Sequence, residues 1–186
     1  MLNDPSGAPI GVEIGLPGIV RIRTDNIAGL FTWRRRSRGL FLLIARDSGL
    51  ALDTAHQTHN LAEPIFWPAH AFGHQLWYFR RTAQRDAYMI VSVANGLALD
   101  ARTGREIPRH PVMWKQHAEA HQRWRLHQAG DGAAYVIESV ATGHVLDRPW
   151  EAGREDKPVM WDRHDGMNQQ WLIVTPSGGR LRSPGR

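Results

Sequence analysis

Tryptophan recurs in this chain at an interval of 47 residues: Trp67, Trp114 and Trp161 form one series, and Trp77, Trp124 and Trp171 a second. The same interval relates Gly49, Gly96 and Gly143, then Asp53, Asp100 and Asp147, and Pro64, Pro111 and Pro158. It also relates His70, His117 and His164, and Gln75, Gln122 and Gln169. So many residue classes in step make the chain three copies of one unit. A unit of this length has no complete core of its own and buries its apolar side only against its neighbours.

Within a copy the apolar stretches are short and rich in β-branched and aromatic residues. In the first copy they are Phe41 to Ile44, Leu50 to Leu52, Ile65 to Trp67 and Trp77 to Phe79, parted by Gly, Pro, Asn and Asp. Four short strands per copy are therefore expected. A helical array needs amphipathic runs of about ten to twelve residues, and Pro64, Pro111 and Pro158 fall where such a helix should continue. Propellers are built from about four to eight four-stranded blades, and three blades would leave open edges. A closed threefold barrel capped by hairpins satisfies the pattern.

At this point the residues resemble a known family. Each copy carries a Q-x-W, namely Gln75-Leu76-Trp77, Gln122-Arg123-Trp124 and Gln169-Gln170-Trp171, preceded by a G-x-x-L-D segment ending at Asp53, Asp100 or Asp147. The third copy adds the run from Trp161 through His164, Gly166 and Asn168 to Trp171. This is similar to the ricin B-type β-trefoil lectins and the family-13 carbohydrate-binding modules, over about residues 38 to 176. The resemblance implies an all-β fold, a β-trefoil of three 47-residue repeats with pseudo-threefold symmetry, plus an N-terminal extension. The expected division is 1–37 as an extension or attachment arm, 38–176 as the trefoil, and 177–186 as a basic flexible tail.

It also implies noncatalytic binding of carbohydrate through up to three shallow sites, one per repeat, with galactose- or xylose-type glycans as partners. A sugar ring offers an apolar face and a fan of hydroxyls, so a binder needs a flat aromatic surface beside fixed hydrogen-bonding groups. By resemblance the carboxylate anchor is Asp53, Asp100 or Asp147, and the stacking ring is Trp67, Trp114 or Trp161. His70, His117 and His164 reach towards the sugar. The residue before the Q-x-W glutamine, an asparagine in many relatives, is His74, His121 and Asn168, so the third repeat is the most complete. Two positions before the stacking tryptophan, where ricin-like sites place glutamine, stand Ile65, Val112 and Val159.

Structural alternatives stand beside these roles. Gln75, Gln122 and Gln169 with Trp77, Trp124 and Trp171 are expected to be framework. The three aspartates can equally cap turns. Trp67, Trp114 and Trp161 can be core residues, although their alternation with Phe66, Met113 and Met160 places the latter inward. Trp150, outside the register, lines the third site or covers its loop. No metal and no cofactor are expected, because His70, His117 and His164 lie on different repeats, and H-E-x-x-H, P-loop and G-x-S-x-G motifs are missing.

The 186 residues suit one domain and leave no room beside a trefoil for a catalytic one, so no enzyme is expected. There is no cysteine, and stability is assigned to packing; a cytoplasmic setting or a virion or surface assembly is compatible with that. Neither a leader nor a stretch long enough to span a bilayer is evident. The net charge of +5 is concentrated in arginine, with Arg34, Arg35, Arg36 and Arg38 before the repeats and Arg180, Arg182 and Arg186 after them. Aromatic residues do not alternate with these arginines as stacking on nucleic acid requires, and nucleic acid is not an expected partner. Residues 1 to 37 do not match the repeat. Ile19 to Ile22 and Leu30 to Trp33 are candidate strands there, and the apolar content suggests attachment to a protein partner, a further copy or a larger assembly. The competing function classes are a structural or attachment protein using the trefoil as a rigid module, and a trefoil protease inhibitor acting through its loops.

Overall fold

The computed structural model describes residues 13–15, 19–21, 39–103 and 107–176. Strands β1 (Glu13–Gly15) and β2 (Ile19–Arg21) form an antiparallel hairpin within the N-terminal extension. The candidate strand at Leu30 to Trp33 and both arginine clusters lie outside the described residues.

Each repeat contributes four strands. The first has β3 (Leu42–Ala45), β4 (Leu50–Asp53), β5 (Ile65–Pro68) and β6 (Trp77–Arg81). The second has β7 (Ala87–Ser92), β8 (Ala98–Asp100), β9 (Val112–Trp114) and β10 (Trp124–Gln128). The third has β11 (Tyr135–Ser139), β12 (Val145–Asp147), β13 (Val159–Trp161) and β14 (Trp171–Val174). The first and last strand of each repeat build a six-stranded barrel. Its ring runs β6, β7, β10, β11, β14, β3 and returns to β6 through the bridge between Phe41 and Trp77. The hairpins β4–β5, β8–β9 and β12–β13 form the cap. This is the expected β-trefoil.

The residues in register explain the turns. Gly49, Gly96 and Gly143 have φ of 73°, 70° and 78°, which side chains other than glycine adopt at a cost. A Cβ on Gly96 or Gly143 would meet nothing within 4 Å, so backbone conformation rather than crowding selects glycine. The amide of each closes the turn on the carbonyl of Ala45, Ser92 or Ser139.

The cap is interlocked between repeats. Met113 N–H donates to Ala62 O at 2.7 Å, Met160 N–H to Arg109 O at 2.6 Å, and Phe66 N–H to Asp156 O at 2.8 Å. Ala62, Arg109 and Asp156 are themselves 47 apart, so each hairpin is clasped by a loop of a neighbouring repeat. Beneath it lies one continuous core, in which Trp77, Trp124 and Trp171 are fully buried with Phe66, Met113 and Met160. Each core indole N–H still has a partner, as buried polar groups must: Leu52 O at 3.1 Å, Leu99 O at 3.0 Å and Leu146 O at 2.9 Å.

Candidate functional site

Strand pleating brings the candidate site residues of a repeat together. In the first hairpin Leu52 pairs with Phe66, while Asp53 pairs with Ile65 and Ala51 with Trp67. Successive side chains alternate between faces. Leu52 and Phe66 therefore enter the core, and Asp53, Ile65 and Trp67 share the opposite face. The second and third hairpins repeat this register with Asp100 opposite Val112 and Asp147 opposite Val159. An apolar β-branched residue thus sits directly across from each carboxylate, where relatives with glutamine would supply a polar group.

The Q-x-W glutamines do more than fill space. Gln75, Gln122 and Gln169 are fully buried. Their Nε2 atoms donate to Asp53 Oδ2 at 2.9 Å, Asp100 Oδ2 at 3.1 Å and Asp147 Oδ2 at 2.7 Å. Their Oε1 atoms accept from the backbone of His70, His117 and His164 at 2.9, 3.0 and 2.9 Å. One amide therefore fixes both the carboxylate and the loop that carries the histidine. That coupling was not read from the sequence, although the shared interval of Asp and Gln is its trace.

The other carboxylate oxygen separates the repeats. Asp53 Oδ1 accepts from Ala55 N–H and Asp100 Oδ1 from Arg102 N–H, each at 2.7 Å, so both cap a turn two residues on. The equivalent residue in the third repeat is Pro149, which has no N–H to give. There Asn168 Nδ2 donates to Asp147 Oδ1 at 3.0 Å instead. Asn168 Oδ1 is buried and accepts no hydrogen bond from the described residues. Gly166 leaves room for this arrangement, since a Cβ there would stand 2.7 Å from Asn168 Oδ1.

Two imidazoles crowd the carboxylate in each of the first two repeats. His70 and His74 place Nε2 at 3.8 and 3.7 Å from Asp53 Oδ2, and 3.3 Å from each other. His117 and His121 place theirs 3.4 and 3.5 Å from Asp100 Oδ2. In the third repeat only His164 remains, at 3.4 Å from Asp147 Oδ2. Burial lowers the His74 pKa, against the pull of Asp53, and His56 and His70 add to the lowering. Burial likewise raises the Asp147 pKa, opposed by Gln169, His164 and Asn168. The groupings that gather ligand atoms are thus internal to a repeat, Asp53 with His70 and His74, and Asp100 with His117 and His121. The expectation of no metal rests on histidines of different repeats, whereas these groupings lie within one.

The aromatic surface is graded too. Trp67 and Trp114 are partly buried, whereas Trp161 is exposed. The Arg154 guanidinium, from the third repeat, lies 3.7 Å over the Trp67 ring. Trp150 is exposed, and its carbonyl accepts from Arg148 at 3.1 Å. Arg148 itself is buried and grips Asp47 of the first repeat, with Nε 2.9 Å from both carboxylate oxygens and Nη2 2.6 Å from Oδ2. This pair anchors the loop that follows Asp147, and neither residue belongs to the periodic pattern. No helix among the described residues is long and apolar enough to cross a membrane.

Comparison with known proteins agrees with this geometry. A family model described as "Ricin-type beta-trefoil lectin domain-like" matches residues 73–161 and 120–184. No curated protein matches the sequence. Among solved structures, the designed threefold-symmetric protein ThreeFoil is 27% identical with a TM-score of 0.69, covering 73% of this chain and 98% of its own. The exo-β-1,3-galactanase 1,3Gal43A from Clostridium thermocellum is 25% identical with a TM-score of 0.68, and the match spans 75% of this chain but 30% of that enzyme. A ricin B-like lectin of Macrolepiota procera, solved with lactose, is 19% identical with a TM-score of 0.65, covering 77% of this chain and 99% of its own.

Proposed function

The chain belongs to the ricin-type beta-trefoil lectin domain-like family, and from that premise we propose that it binds carbohydrate, without catalysis, at shallow sites on its hairpins. The third site leads. Asp147 is fixed from two sides by Gln169 and Asn168, Trp161 presents an exposed ring, and His164 stands beside the carboxylate. The observation that carries the reading is the Asp147 carboxylate, held by Gln169 and Asn168 on the same hairpin face as the exposed Trp161 ring. Neighbouring sugar hydroxyls are donors suited to such a carboxylate, and hydrogen bonds to a charged group contribute about 1.5–3 kcal/mol each.

Asp147 uses part of its acceptor capacity on the protein and keeps the remainder, since a carboxylate has about four lone-pair sites. The first two sites, built on Asp53, Trp67, His70 and His74 and on Asp100, Trp114, His117 and His121, rank behind it. Each grouping of this kind holds a single carboxylate, whereas glycoside cleavage typically uses a pair flanking the bond. Galactose-type glycans are the first to test, given the lactose bound to the fungal lectin and the galactanase likeness. Several weak sites on one rigid body raise apparent affinity for a multivalent glycan through effective concentration. In this reading the trefoil is 38–176, and 1–37 is an arm that presents it to a partner. A glycan array with the wild type, Asp147→Ala and Trp161→Ala tests the proposal: signal on galactosides that both substitutions weaken is expected, and no glycan signal at high protein density overturns it.

A further inference from the structure

The first two repeats differ from the third in one chemical respect: each sets two imidazoles and one carboxylate around a common point. We infer that the Asp53, His70, His74 and Asp100, His117, His121 clusters each bind a zinc-class divalent cation, and that the third repeat does not.

The geometry carries this. A tetrahedral zinc ion with bonds of about 2.0–2.1 Å keeps its ligand atoms about 3.3 Å apart. In the first cluster the three donor atoms form a triangle with edges of 3.3, 3.7 and 3.8 Å. In the second, the two edges to the carboxylate are 3.4 and 3.5 Å. Shifts of a few tenths of an ångström close the first triangle on an ion, and in the second all three donor atoms lie within 4.8 Å of one another. His70 with His74, and His117 with His121, keep the H-x-x-x-H separation that zinc sites use. Two imidazoles with one carboxylate suit zinc and its transition-metal neighbours rather than calcium or magnesium, which prefer oxygen.

The surroundings support the same role. Each carboxylate is oriented from behind, Asp53 by Gln75 and Ala55, and Asp100 by Gln122 and Arg102. Such outer partners hold metal ligands in place. In the first cluster the His56 ring packs on His74, centroids 3.8 Å apart. The histidine side chains remain 25% and 13% exposed in the first cluster and 28% and 21% in the second, so one side faces solvent and leaves the fourth position to water or a ligand hydroxyl.

One contact opposes the ion. Phe72 N–H donates to His70 Nδ1 and Glu119 N–H to His117 Nδ1, each at 3.2 Å, which places the ring proton on Nε2. Binding through Nε2 moves that proton off and releases the backbone contact. Both contacts are long and exposed, so their N–H groups turn to water, at a cost of at most about tenfold in affinity. Losing an outer-shell partner typically costs about 10- to 100-fold, and the three ligand bonds outweigh one such contact. In the third repeat Asn168 replaces the second imidazole and is already committed to Asp147. It supplies an internal control.

The test is calorimetric titration of the untagged full chain, stripped with chelator, against zinc chloride, with calcium chloride alongside. Two equivalents of zinc and no calcium are expected. His74→Asn and His121→Asn, which copy the third repeat, should each remove one equivalent, and the double variant both. His70→Gln and His117→Gln repeat the test should the asparagine variants misfold by circular dichroism. Uptake of one equivalent or less by the wild type, or uptake unchanged in the double variant, overturns the inference. The clusters share residues with the first two proposed glycan sites but none with the third: the third site should still bind glycan in chelator, so failure of the metal inference and failure of the glycan reading are told apart there.

Discussion

The first two repeats and the third solve the same local problem with different atoms. All three bury an aspartate beside an apolar residue and hold it with the Q-x-W glutamine. In the first two, the turn amides of Ala55 and Arg102 satisfy the second oxygen, which leaves positions 74 and 121 free to carry histidine. In the third, Pro149 removes that amide, and position 168 must donate from its side chain. A proline in the turn thus decides whether the residue before the glutamine can be a histidine. Divergence between repeats is compensated locally, without disturbing the shared frame.

The largest expected effect breaks the third repeat where the others have no counterpart. Arg148→Ala leaves Asp47 as a buried unpaired charge and should lower stability by about 3–5 kcal/mol, read as a shifted urea midpoint with unchanged slope. Next, Asn168→Ala strands Asp147 Oδ1 and should cost about 1–3 kcal/mol. His121→Ala should cost less, because Arg102 N–H still serves Asp100. Adding Pro149→Ala to Asn168→Ala restores an amide and should recover part of the loss; no recovery would refute the exchange of donors.

Acidification sharpens the comparison further. In the proposed site Asp147 would accept from hydroxyls as its carboxylate, and burial holds its pKa above the ordinary 3.8. Its binding is therefore complete above that raised value and lost as pH falls through it, beginning at a higher pH than for an ordinary aspartate. Galactoside titrations from neutral to acidic pH measure this, and a loss confined below the usual carboxylate range would contradict it. The smallest effect belongs to the first site. Arg154 covers Trp67 through a contact worth about 0.5–1 kcal/mol at an exposed position, so Arg154→Ala should tighten glycan binding there by about two- to fivefold. In a Trp161→Ala background this would appear as regained array signal.

The 47-residue register made the trefoil legible, because a hairpin that must face the same core three times keeps its glycine, glutamine and core tryptophan. Candidate site residues were legible for the same reason, since Asp and Trp share one face of each hairpin. The features that distinguish the sites were harder to read. Arg148 with Asp47, and Arg154 with Trp67, join the third repeat to the first, and since Asp47, Arg148 and Arg154 have no counterparts 47 residues away, only folding reveals the contacts. The turn and anchor readings of aspartate are compatible, since Asp53 and Asp100 cap a turn with one oxygen and meet the glutamine with the other. The exchange of donors was visible in principle: a proline two residues after Asp147 forbids the turn bond that its sister residues make.

The pairing of β3 with β14, which sets Leu42 opposite Val174, has a topological consequence. Gly39 and Pro176 therefore end the described barrel at one rim, and the break between them is geometrically equivalent to the β6–β7 and β10–β11 turns. Joining residues 39 and 176 by a short linker and opening the chain at Gln84 or Asp131 instead should give the same barrel with the repeats in rotated order. A segment fused at the new ends could then be carried at any of three corners without redesign of the barrel.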